Sequence, residues 1–102
     1  MTRATDYTNE AQQRLLQHID LLAGHELQGL APAAIAKALN CSPSVVTRDM
    51  ANLQSAGWAE RTPTTGNWRL SPHAIQLSLR HAQAIRAGHQ ELQDVEQRYS
   101  RS

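Results

Sequence analysis

A segment near the middle of the chain combines side chains that suit contact with nucleic acid. Val46, Met50 and Leu53 recur at helical spacing, and the face opposite them is small, polar or cationic. Hydroxyl groups donate to phosphates or base edges, an arginine fork fits a guanine edge, and a valine can meet a thymine methyl. An ordinary solvated helix face has a similar composition and is the alternative. The candidate DNA-contacting residues are Ser42, Ser44, Val45, Thr47, Arg48 and Asn52.

A second polar set surrounds the turn residues Pro63 to Gly66, which lie between two short strand patterns. Arginines, hydroxyls and an amide at such a turn suit contact with the phosphate backbone or the minor groove. The same residue types are common in any hairpin turn. The alternative is therefore that these residues only form the turn and contact no DNA. We expect Trp58 and Trp68 to pack the hairpin onto the helices, because single-strand binders expose more aromatic residues. The candidates are Arg61, Thr64, Thr65, Asn67 and Arg69.

Four helices and one hairpin are predicted to position these residues. Ser42 before Pro43 is a strong helix start, because the hydroxyl caps the helix and proline lacks an N–H that would be unpaired there. Ser71 before Pro72 repeats the signal. The predicted elements are a helix from a Thr8 cap to about Gly24, helices over 32–39 and 43–56, strands over 58–61 and 67–70, and a helix from 72 to about 99.

A helix, a tight turn, a second helix and a hairpin in this order predict a mainly α fold with a small β-hairpin, a winged helix-turn-helix. The second helix of such a unit usually enters the major groove of DNA. We expect a three-helix core with its wing over 8–87, a disordered N-terminus over 1–7, and a C-terminal helix extension or tail over 88–102.

Composition favours a small cytoplasmic domain. The chain has 102 residues, a net charge of +1 and one cysteine, Cys41, so it cannot form an internal disulfide and suits a reducing compartment. No apolar run is long enough for a membrane span. Residues 42–70 carry three arginines against two carboxylates, which predicts modest attraction to phosphates. The five histidines include no pair at i, i+4, so we predict neither a metal site nor a cofactor.

The last predicted helix is long for so small a domain, and part of its apolar stripe lacks an intrachain partner. Ile85, Leu92 and Tyr99 are spaced by seven residues, and Val95 lies between them. Pairing between protomers would bury these side chains, which predicts a homodimer through the last helix. A frayed tail is the alternative, since polar residues interrupt the stripe.

Part of the chain resembles the N-terminal winged helix-turn-helix of IclR-type bacterial transcription regulators, a pattern that MarR-like winged helices partly share. The resemblance implies that Ser44, Thr47 and Arg48 contact DNA and that the wing touches the adjacent backbone. It covers Leu39 to Leu70 and, more loosely, Leu15 to Leu79, and it runs through Ile35-Ala-Lys-Ala-Leu39, Pro43-Ser-Val-Val-Thr-Arg48, Ala56-Gly-Trp58 and Gly66-Asn-Trp-Arg-Leu70.

Two departures from that family pattern bear on function. Asp49 stands where an apolar residue is usual, and we expect its carboxylate to repel phosphate unless Arg48 or another cation offsets it. The family's C-terminal effector-binding domain has no counterpart in this sequence. The resemblance therefore implies a stand-alone binding module of a bacterium or a phage.

Catalytic motifs such as a nucleophile elbow, a phosphate-binding glycine loop or paired carboxylates do not occur, so we predict a binding protein and not an enzyme. The predicted function is sequence-specific binding of double-stranded DNA by a small transcription regulator. Residues 43–56 would enter the major groove, and the wing over 58–70 would contact the backbone or the minor groove. The alternative is a winged-helix module for protein–protein interaction, an adaptor or phage factor that binds a host protein, which near-neutral charge and Asp49 favour.

Overall fold

The computed structural model describes residues 5–100, in two compact units that meet in sequence between Ser71 and Pro72. The predicted disorder over 1–7 falls partly on residues 1–4, which lie outside the described residues. The mostly helical architecture, with one antiparallel hairpin and a long last helix, confirms the predicted fold class. The elements are α1 (Glu10–Leu22), α2 (Pro32–Leu39), α3 (Pro43–Ser55), β1 (Ala59–Arg61), β2 (Trp68–Leu70) and α4 (Pro72–Ser100).

The first helix begins one residue later than predicted, because Asn9 caps it and Thr8 does not. The Asn9 carboxamide oxygen accepts from the Gln12 amide at 3.0 Å, which satisfies one of the free N–H groups at the helix start. The Thr8 amide and hydroxyl instead donate to Asp6 Oδ1 at 2.9 and 2.7 Å. These bonds, the hydroxyl's above all, lower the pKa of the Asp6 carboxyl.

The turn between α2 and α3 depends on Asn40 and Ser42. Asn40 adopts a left-handed conformation with a φ of 52°, and its amide donates to the carbonyls of Ala36 and Lys37. Asparagine tolerates this conformation better than most residues. Ser42 Oγ accepts from the Val45 amide at 3.3 Å, which confirms the predicted cap. This short turn brings α3 directly against α2.

An aliphatic core lies between α1, α2, α3 and the hairpin. Leu22, Ile35, Val46 and Met50 have no exposed surface. Trp68 of β2 is 2% exposed, so the prediction that it packs the hairpin onto the helices is confirmed. Burial of each apolar side chain of this size stabilises the folded state by roughly 1.5–3 kcal/mol relative to leaving it exposed. The core therefore holds α3 and the hairpin in one arrangement.

One further backbone bridge ties the hairpin to the segment before α2. The Leu30 N–H donates to the Trp68 carbonyl at 2.8 Å, and the Leu30 carbonyl accepts from the Trp68 N–H at 2.9 Å. Gly29 makes this approach possible, because its φ is +70° and a Cβ there would lie 2.6 Å from the Trp68 carbonyl oxygen. Trp68 is thus hydrogen-bonded on one side to the Leu30 segment and paired on the other with β1.

The last helix, α4, spans 29 residues and continues through Gly88 without a break. None of its residues is buried. The division between a domain over 8–87 and an extension over 88–102 therefore has no counterpart in helix geometry and stays a prediction. Among residues 5–100, no helix is both long and apolar enough to cross a bilayer.

Candidate nucleic-acid interface

The candidate residues of α3 lie on its exposed side. The opposite side is buried against the rest of the core, and the amphipathic spacing turns the polar positions outward. Val45 is half-buried, and the Ser42 and Ser44 hydroxyls lie 3.1 Å apart at the helix start. The exposed candidates are Ser42, Ser44, Thr47, Arg48 and Asn52.

Arg48 is the single cation of α3, and its guanidinium has no hydrogen bond or ion pair to any residue within 5–100. Its neighbours bond within the helix. Thr47 Oγ1 donates to the Pro43 carbonyl at 3.1 Å, and Asn52 Nδ2 donates to the Arg48 carbonyl at 2.9 Å. The Thr47 hydroxyl and the Asn52 amide can each still form further hydrogen bonds. The Arg48 guanidinium has all of its N–H donors available for a ligand.

The arginines of the wing, by contrast, have partners inside the hairpin. Arg69 Nε donates to Glu60 Oε1 at 3.0 Å, and the two residues face each other across the β1–β2 pair. The Arg61 guanidinium lies 4.4 Å from the centroid of the Trp68 ring, a cation–π contact. Arg61 Nη1 also donates to the Gly66 carbonyl at 3.4 Å. Both wing cations therefore support the hairpin itself.

The remaining polar residues of the wing mostly build the turn. Thr65 Oγ1 lies 2.5 Å from Thr62 Oγ1, and Asn67 Nδ2 donates to the Gln28 carbonyl at 3.1 Å. Thr64 is exposed, and its hydroxyl has no hydrogen-bond partner in the described part of the chain. Of the predicted wing contacts, Thr64 thus keeps the most freedom to meet a phosphate.

Asp49 does not lie beside the exposed face of α3, contrary to the expectation from the sequence. Its side chain is 5% exposed and points toward α1, where Arg14 Nε and Nη2 donate to its two carboxylate oxygens at 2.5 and 3.2 Å. The hydrogen bond to Asp49 raises the pKa of the Arg14 guanidinium. The cation that offsets this carboxylate is therefore Arg14 and not Arg48.

His18 completes this buried cluster and was not among the residues predicted from the sequence to have a role. Its Nδ1 lies 2.8 Å from the Arg14 carbonyl oxygen, and its Nε2 lies 3.8 Å from Asp49 Oδ2. A signal was present, because His18 follows Leu15 by three residues and precedes Leu22 by four, within the apolar stripe of α1. Asp49 likewise lies among the buried residues of α3, between Val46 and Leu53.

The residues predicted for a dimer interface, Ile85, Leu92, Val95 and Tyr99, are all exposed along α4. Their exposure leaves apolar surface in contact with water. Within residues 5–100, no three histidine, cysteine, aspartate or glutamate side chains are grouped so that they could hold a metal ion.

No model of a known protein family and no curated protein matches the chain. Two solved structures of ZitR from Lactococcus lactis, a winged-helix regulator, are similar to it; both are point mutants. One has a TM-score of 0.52 at 20% identity and covers 96% of this chain and 68% of that chain. The other has a TM-score of 0.48 at 21% identity and covers 96% and 66%. The first likeness shows a winged-helix fold; the IclR-type resemblance stays a prediction.

Proposed function

We propose that this protein binds double-stranded DNA with sequence specificity and regulates transcription, with α3 in the major groove. The exposed face of α3 carries the proposal, because Arg48 has no partner within residues 5–100 and its neighbours Ser44 and Thr47 are small and polar. A guanidinium in that position can bind a guanine edge through two parallel hydrogen bonds. Small neighbours let the helix backbone come close to the base edges.

The winged-helix fold supports the same assignment. In helix-turn-helix units the second helix of the pair enters the major groove, with the residues of its first turns at the base edges. The start of α3 is exposed around Ser42 and Ser44, and the unpaired N–H groups of a helix start attract phosphate. Thr64 at the wing is suited to the neighbouring backbone.

We further infer that the protein acts as a homodimer in the cytoplasm of a bacterium or phage-infected cell. The apolar side chains of Ile85, Leu92, Val95 and Tyr99 are exposed on a helix without a buried residue, and a second copy of α4 would cover them. Two α3 helices would then read half-sites about one turn of DNA apart. Light scattering that gives the monomer mass at all micromolar concentrations would rule out this dimer.

Binding of a partner protein is the second candidate function, and the pairing within the wing favours it. Arg61 and Arg69 are both engaged inside the hairpin, and the net charge of the chain is only +1. Attraction to a polyanion then depends on few cations. A surface with so little positive charge suits a protein partner as well as DNA.

A fluorescence-anisotropy titration of duplex DNA separates the two candidates. A random-sequence duplex pool is titrated at two salt concentrations, and the bound fraction is then selected and sequenced. The proposal predicts salt-dependent binding and enrichment of a short palindrome. Absence of binding to any duplex at the lower salt concentration contradicts the proposal and favours a protein partner, which a pull-down would then seek.

A further inference from the structure

A buried ion-pair cluster joins α1 to α3. Arg14 donates to both carboxylate oxygens of Asp49, and His18 Nε2 lies 3.8 Å from one of them. The side chain of His18 has no exposed surface, that of Asp49 is 5% exposed, and that of Arg14 is 24% exposed. Glu10, one turn earlier in α1, adds a smaller contribution to the raised pKa of Arg14 through its negative charge.

The His18 ring has one nitrogen with a hydrogen-bond partner and one without. Nδ1 lies 2.8 Å from the Arg14 carbonyl oxygen, and since a carbonyl only accepts, Nδ1 carries the hydrogen. Nε2 of the neutral ring is then a buried acceptor without a hydrogen-bond partner among residues 5–100, facing a carboxylate oxygen that is also an acceptor. Such a contact is unfavourable in a buried site. The hydrogen bonds that hold Asp49 in place are therefore those of Arg14.

Asp49 connects this cluster to the exposed face of α3. It follows Arg48 directly, and successive residues of an α-helix are rotated by roughly 100° about the axis. Holding Asp49 against α1 therefore directs Arg48 outward. The two oxygens of Asp49 are bound by one guanidinium, so α3 cannot rotate without breaking a hydrogen bond of that pair.

We propose that Arg14 is a positioning residue for DNA recognition by α3, because its two hydrogen bonds hold Asp49 against α1 and thereby keep Arg48 directed outward. This inference rests on the proposed function.

Duplex titrations of folded Arg14 variants test the positioning role. Arg14→Gln should weaken binding to the best duplex by about tenfold with an unchanged salt slope, and Arg14→Lys should restore part of the loss. An unchanged affinity, or a slope shallower by about 0.9 as expected for a lost phosphate contact, overturns positioning. If the wild type binds no duplex at low salt, the proposed function fails. If the wild type binds and Arg14→Gln binds equally well, only the positioning role is overturned.

Discussion

The exposed face of α3 and the wing use arginine in opposite ways. Arg48 of α3 has no partner among residues 5–100, whereas Arg69 is paired with Glu60 at 3.0 Å and Arg61 covers the Trp68 ring at 4.4 Å. All three arginines belong to segments that were predicted to contact DNA. An arginine in such a segment is therefore available to DNA only where the fold supplies no nearer partner.

Local geometry explains this difference. In an antiparallel pair, residues directly opposite each other are in contact, and the β1–β2 register puts Glu60 opposite Arg69 and Arg61 opposite Trp68. On a helix the neighbours are three and four residues away, and around Arg48 none of them carries a charge. They are Ser44, Val45, Ala51 and Asn52.

The largest effect is expected from a substitution that displaces the wing. Gly29→Ala places a Cβ 2.6 Å from the Trp68 carbonyl oxygen at a φ of +70°, and we expect it to lower the unfolding free energy by about 3 kcal/mol in urea titrations. Gly24→Ala is the matched control, because Gly24 also has a positive φ but nothing within 4 Å of its Cβ position. Its expected loss is about 1 kcal/mol. Equal losses would contradict the bridge between Leu30 and Trp68 as the anchor of the wing.

The next largest effect concerns Arg48 of α3, which has no partner in the described part of the chain. Arg48→Ala should weaken binding to the selected duplex by about 2 kcal/mol and reduce the discrimination between bases, since a two-bonded guanine contact is lost. Arg48→Lys should keep attraction to random duplex but not the discrimination. Anisotropy titrations with the best site and a one-base variant measure both quantities. An Arg48→Ala protein that binds both as the wild type does would disprove the major-groove assignment.

A smaller effect should appear when the wing arginine is released. Glu60→Gln removes the carboxylate charge that neutralises Arg69, so this cation can neutralise a phosphate and make the slope of log K against log salt steeper by about 0.9. Glu91→Gln on α4 is the control, because it alters the net charge equally at an exposed site elsewhere. If both variants change the slope alike, the gain comes from net charge and not from Arg69.

The smallest effect is expected from the cation–π contact. Arg61→Ala should lower the unfolding free energy by about 0.5–1 kcal/mol, because the guanidinium over Trp68 supports the hairpin. Arg48→Ala, which removes an arginine without a partner, should change stability by less than about 0.5 kcal/mol. Thermal or urea unfolding of the two variants side by side checks this contrast. A larger loss of unfolding free energy for Arg48→Ala than for Arg61→Ala would contradict the view that the wing arginine supports the fold and the α3 arginine does not.

Much of the fold was predictable because its signals are local. Ser42 and Pro43 start α3, and the hairpin strands lie within one residue of their predicted bounds. The start of α1 was misplaced by one residue, since threonine and asparagine are both good caps and both precede the helix. The exposed candidates of α3 followed from the apolar stripe of Val46, Met50 and Leu53, because burial of one face exposes the other.

The cluster around Asp49 was not predictable in the same way. A carboxylate within a buried stripe needs a partner, but nothing near Asp49 in sequence identifies Arg14, which is 35 residues away. The expectation that Asp49 would repel phosphate assumed an outward side chain. Its actual direction depends on which face α3 turns toward α1.

Local signals in the sequence sufficed to predict the order and type of the elements, the Ser42 cap of α3, the exposed polar face of α3 and the long last helix with its apolar stripe. Each of these depends on propensities and spacings within a few residues. Three pairings emerge only from the folded arrangement: Arg48 has no partner among residues 5–100, Arg61 and Arg69 bind within the hairpin, and Arg14 holds Asp49. Such pairings follow from strand register and from the packing of helices that are distant in sequence, because a charge binds whichever partner the fold brings nearest.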